Sequence, residues 1–131
     1  MKNIALMKQI RERITKDPNS LDMDIWSNDC GTVACIAGHA GIIEKEVVYW
    51  SSAYTMTPIT DESWTELGAR LLGVDEETAD LWFHETDNQG ALEILDAFIA
   101  GEEIDILEVV RETKARQWLE FSDGLDEDFD A

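Results

Sequence analysis

Between Arg70 and Arg111 the sequence contains no lysine or arginine, although twelve carboxylates fall in that interval. Other scarcities bound the molecule further. Two prolines and eight glycines in 131 residues argue against a largely disordered chain. No stretch approaches the roughly 18 apolar residues of a membrane span. The first ten residues, MKNIALMKQI, carry charge but lack the long apolar run and small-residue cleavage site of a signal peptide. The expectation is a soluble, cytoplasmic protein that does not engage a membrane. Cys30 and Cys35 are too few for a disulfide framework. On one helix they would stand about 7.5 Å apart along the axis, beyond the usual reach of a disulfide.

What the chain has in excess is negative charge. The net charge is −19. Residues 1–58 hold six bases and seven acids, whereas residues 59–131 hold four bases and 22 acids. A halophilic adaptation would acidify the whole surface, so this asymmetry points to a functional one. Direct binding of nucleic acid is disfavoured by the same sign of charge.

With 44% hydrophobic residues the chain suffices for a single core. Ile4, Met7, Ile10 and Ile14 recur at helical spacing and predict a helix over 3–16, ended by Asp17-Pro18. A second helix is expected over 31–44, capped by Asn28 or Asp29. The segment KEVVYWSSAYTMT has strand-forming residues without an evident partner strand, and reads as extended, irregular or a short hairpin. Ser63 and Glu66 have capping-box spacing before the stripe Trp64, Leu67, Leu71 and Leu72, which Gly73 closes. Asp75 caps a helix through Ala79, Trp82 and Phe83. Asn88-Gln89-Gly90 separates it from a helix carrying Leu92, Leu95, Phe98 and Ile99, closed by Gly101. A last helix is expected near 102–120. The fold class expected is all-α: a single helical domain over 1–120 built from five or six helices, with an acidic, disordered tail over 121–131.

Two groups of residues invite a functional reading. In DCGTVACIAGHAG, Cys30, Cys35 and His39, together with distant His84, supply enough donors for zinc, although the spacing matches no common finger. A Cys30–His84 thiol enzyme is conceivable, yet nothing marks an oxyanion hole. The residues between fit a third reading better. Ala34, Ala37, Gly38, Ala40 and Gly41 make a slim helix that lets a neighbouring backbone approach, with the thiols as small fillers. The pattern Cys30-Gly31-Thr32-x-x-Cys35-x-Ala37-Gly38, with Leu71-Leu72-Gly73-Val74 and Ala79-x-x-Trp82-Phe83 downstream, resembles a group of small bacterial and phage proteins of unknown function. That resemblance spans residues 4–100 and implies a helical fold and no activity. Those relatives often carry tryptophan where this chain has His39, which argues against a histidine-dependent metal site.

The second group is acidic. Glu102, Asp105, Glu108 and Glu112 follow spacings of three, three and four, which would align them on one face of the last helix. Glu76, Glu77 and Asp80 cluster on the helix near 76–83. Like charges at i,i+4 cost a helix about 0.2–0.5 kcal/mol per pair, so their accumulation asks for a compensating role. The tail acids Asp126, Asp128 and Asp130 lack the glycine placement and final glutamate of a calcium loop. The expectation is a non-enzymatic protein without cofactor. Its carboxylate face would imitate DNA and bind a basic, nucleic-acid-binding protein such as a host nuclease, as a phage anti-restriction or anti-CRISPR inhibitor does.

Overall fold

Asn3 begins the first helix, its side chain accepting a hydrogen bond from Leu6 N at 3.2 Å. In the computed structural model, which describes residues 1–28, 30–51 and 55–129 with side chains up to residue 121, that helix is α1, Ile4–Lys16. Its buried face is Leu6, Met7, Ile10 and Ile14, as the periodicity predicts. Asn3 also ties α1 to α3 (Trp64–Leu72), donating from its backbone to Leu72 O at 2.8 Å.

The second helix departs from expectation. It is α2, Ile36–Ile43, and its cap is Cys35, whose sulfur accepts from Gly38 N at 3.4 Å. Asn28 does not cap it, and Asp29 lies outside the described residues. Two local preferences win over helix in residues 30–35. Asn28 Oδ1 accepts from both Thr32 N and Val33 N, closing a side-chain turn. Gly31 takes a left-handed φ of 70°, which an α-helix does not admit. Ala34 then bridges to Leu21 and Ser27. Cys30, Gly31 and Thr32 therefore belong to a loop.

The remaining slim helix does what its composition suggests. Residues Ile36 to Gly41 are all buried. A Cβ on Gly38 would lie 1.7 Å from the Trp26 carbonyl oxygen, so only glycine lets that backbone pass.

The all-α expectation needs correction. Residues Val47–Trp50 (β1) and Thr55–Pro58 (β2) pair antiparallel, with Val47 opposite Pro58 and Trp50 opposite Thr55. The partner strand missing from the rest of the chain is supplied by the same segment. Trp50 Nε1 donates to Thr57 Oγ1 at 2.7 Å across the ladder. The protein is mainly helical with one small hairpin.

Helix α3 carries the complete capping box of Ser63 and Glu66. It is followed by α4 (Glu76–His84), capped by Asp75, and α5 (Asn88–Ala100), capped by Asp87. Asn88, Gln89 and Gly90 form the first turn of α5 and do not separate helices, because Asp87 Oδ1 accepts from Gly90 N at 2.8 Å. The last helix, α6, runs Ile106–Phe129, starting later than expected and continuing past residue 120. The core centres on Trp82, wholly buried, whose indole N–H donates to Ala91 O at 3.1 Å. No helix among the described residues is long and apolar enough to cross a membrane.

Candidate acidic interface

Helices α4 and α6 lie side by side and run in the same direction. Asp75 and Thr78, at the start of α4, line one cavity with Ile106, the first residue of α6. Beyond the other end of α4, Glu85 pairs with Lys114 of α6 at 2.8 Å. The two N-termini therefore share one end of the molecule. The loop from α5 to α6 brings Glu102 and Glu103 there as well. They line a cavity of about 470 Å³ with Lys2 and Phe98, and those two residues also border the Asp75 cavity.

This end collects Asp75, Glu76, Glu77, Glu102, Glu103 and Asp105. Two of these are occupied in holding helices. Asp75 Oδ1 accepts from Thr78 N at 2.7 Å, and this bond, with nearby Lys2, holds its carboxyl below the ordinary range. Asp105 Oδ1 accepts from Glu108 N at 3.3 Å at the start of α6. Carboxylates also gain from the positive end of a helix, which makes a helix start the least costly place to gather them. Lys2 is the basic residue of the group, with its ammonium 5.0 Å from the centre of the Phe98 ring.

The four acids expected from spacing on the last helix, Glu102, Asp105, Glu108 and Glu112, are not one helix face. Glu102 precedes α6, and Asp105 stands at its start; helical phase cannot align residues that are not helical. Glu108 is paired with Arg111 at 3.1 Å. Glu112 is exposed one turn before Arg116 on α6, where it and Glu93 reinforce the charge on Arg116. Asp80 is exposed one turn along α4 from Glu76 and Glu77. The structure thus joins Glu76, Glu77, Glu102 and Asp105 through tertiary packing and sets Glu112 apart. Sequence reasoning missed Asp75, Glu103 and Lys2. The carboxylate pair Glu102-Glu103 was visible as a doublet directly after a glycine helix stop.

Every base from residue 59 onward is spoken for. Arg70 binds Glu46 and Glu62 at 2.7 and 2.8 Å, Arg111 binds Glu108, Lys114 binds Glu85, and Arg116 binds Asp87 at 2.7 Å. Of the seven expected acids, only Glu108 forms an ion pair with a described residue.

The cysteine and histidine group is dispersed. Cys30 is exposed, its thiol 3.0 Å from the Thr32 hydroxyl, whose hydrogen bond pulls its pKa down. Cys35 is buried, and desolvation pushes its thiol up to about 11. His39 is fully buried, with Nε2 2.8 Å from Ser20 O, and burial lowers its pKa. His84 is exposed against the edge of Trp26, 2.8 Å from Thr65 Oγ1. Among the described residues no three His, Cys, Asp or Glu side chains are grouped so as to hold a metal ion. Cys35 and His39 fill and brace α2.

Comparison of the chain with protein-family models, with curated proteins and with solved structures finds no match.

Proposed function

We propose that this protein is a non-enzymatic binder of a basic, nucleic-acid-binding protein, and that its carboxylates substitute for the phosphates of DNA. The observation that carries the reading is the commitment of all four bases of residues 59–131 to ion pairs, which leaves the end built from α4, α6 and their preceding loops strongly negative. Carboxylates one turn apart recur about every 5 Å on a helix, and packed helices lie roughly 8–10 Å apart. On α4, Glu76 and Asp80 stand one such turn apart, and with Glu102 and Glu103 of the loop before α6 they present charge to a groove evolved for a duplex, which carries one charge per ~1.7 Å of axis. The most concrete form of the proposal is a phage-encoded inhibitor of a host restriction or CRISPR nuclease. Electrostatic attraction of this kind speeds encounter and weakens with salt.

The test is affinity capture from the native host, with elution by salt and by duplex DNA. Wild-type protein retains a basic protein that either agent releases. A variant with Glu76→Lys, Glu77→Lys, Asp80→Lys and Glu102→Lys keeps its helical circular dichroism and captures none. Undiminished capture by that variant at moderate salt counts against the proposal.

A further inference from the structure

Beyond Arg116, Gln117 and Glu120 of α6 still border a cavity with Asp22, Asp24 and Asn88, while the other side of the helix is uncovered. Residues 117–121 are all exposed, although three of them are large and apolar: Trp118 at 62%, Leu119 at 61% and Phe121 at 57%. Trp118 and Phe121 rest on each other, ring centres 5.7 Å apart. At 100° per residue these three side chains span roughly 160° of the helix. That is wider than the narrow seam of a two-stranded coiled coil and matches a helix sunk into a groove. In the sequence Leu125 and Phe129 continue the series at spacings of four.

Charge chooses the occupant. No lysine or arginine follows Arg116, while residues 120–130 hold six carboxylates. A groove that receives this helix must therefore be apolar along its floor and basic along its rim. A second copy is a poor occupant, since each chain brings a net charge of −19. A helical turn with an uncovered apolar face is also marginal in water, so a groove that covers it stabilises it.

We infer that the end of α6 is a docking helix whose Trp118 and Phe121 insert into an apolar groove rimmed by lysine and arginine on the partner. This rests on the reading above that the partner is basic, and adds an anchor that discriminates among basic proteins. Acidic residues steer the encounter, and the aromatic pair sets its lifetime.

Two labelled peptides test it by fluorescence anisotropy with the full chain: a helical peptide with a leucine face flanked by lysines, and an all-lysine peptide of equal charge. Wild type binds the leucine-faced peptide more tightly. Trp118→Ser with Phe121→Ser weakens that binding roughly 30-fold and leaves the all-lysine affinity unchanged. Both side chains lie outside the core, and thermal unfolding checks that the variant keeps its fold. Equal affinity of wild type for the two peptides, or no loss in the variant, overturns the docking helix while leaving the charge reading standing. Failure of the all-lysine peptide to bind at low salt instead overturns the charge reading. Sedimentation that shows a wild-type dimer dissolved by the two serines assigns the aromatic pair to a second copy and overturns the inference.

Discussion

The Arg116 guanidinium grips both oxygens of the Asp87 carboxylate, with Nε 2.8 Å from Oδ2 and Nη2 2.7 Å from Oδ1. Asp87 also caps α5 through Gly90 N and accepts from the Thr113 hydroxyl at 3.3 Å. One carboxylate thus starts one helix and fastens the next. Arg116 holds the Asp87 carboxyl at about 2, down from an ordinary 3.8. A depressed carboxylate contributes its full stability above the unfolded pKa and loses it as pH falls through the folded one. Asp87→Ala should cost about 2 kcal/mol at pH 7, from the lost cap and the lost pair. Urea midpoints of the two proteins should converge between about pH 4 and pH 2.

His39 supplies a second and separate pH window. Its Nε2 donates to Ser20 O at 2.8 Å, and its Nδ1 has no partner among the described residues. Burial, helped by the nearby charge of Arg13, pulls its pKa below 6.5. Below that value the unfolded chain binds the proton more readily, so stability falls on acidification from about pH 6.5. His39→Gln should lose about 1–3 kcal/mol near pH 7.5. Its urea midpoint should then stay flat from pH 6.5 to 5, where that of wild type drops. A parallel drop in both would assign the effect to another group.

Two glycines of the segment DCGTVACIAGHAG separate steric need from backbone need. At Gly38 a Cβ meets the Trp26 carbonyl oxygen at 1.7 Å and the Ala34 Cβ at 2.7 Å. Since backbone cannot rotate away as a side chain can, Gly38→Ala should cost about 3 kcal/mol or more. At Gly31 a Cβ finds its nearest atom at an ordinary 3.6 Å, and only the positive φ resists it. Gly31→Ala should cost about 1 kcal/mol. Thermal unfolding ranks the two directly.

The two thiols should differ sharply toward iodoacetamide at pH 8. Cys30 is exposed and its pKa is lowered by the Thr32 hydroxyl, so it reacts in the native protein. Cys35, buried and pushed up to about 11, should react only after denaturation. Mass spectrometry of native and urea-treated samples reads the count of adducts, and native double labelling would contradict the role of Cys35 as a buried cap.

Sequence alone was enough for what neighbours along the chain decide. The apolar stripe of α1, the Ser63–Glu66 box, the Asp75 cap and the stops at Gly73 and Gly101 all rest on interactions within a turn or two, and the structure contains them. The excess of carboxylates beyond residue 59 is likewise plain from the letters. Tertiary structure decided the rest, for a specific reason: helical phase carries information only while the chain is helical. Glu102 and Asp105 seemed aligned with Glu112 by spacing, but the loop before Ile106 breaks the count, and packing brings that loop to the end of the molecule where α4 starts. Cys30 parted from Cys35 because Asn28 offered the backbone a better local bond than a helix could. Which carboxylates keep their charge free was settled only when Arg70, Lys114 and Arg116 found partners distant in sequence.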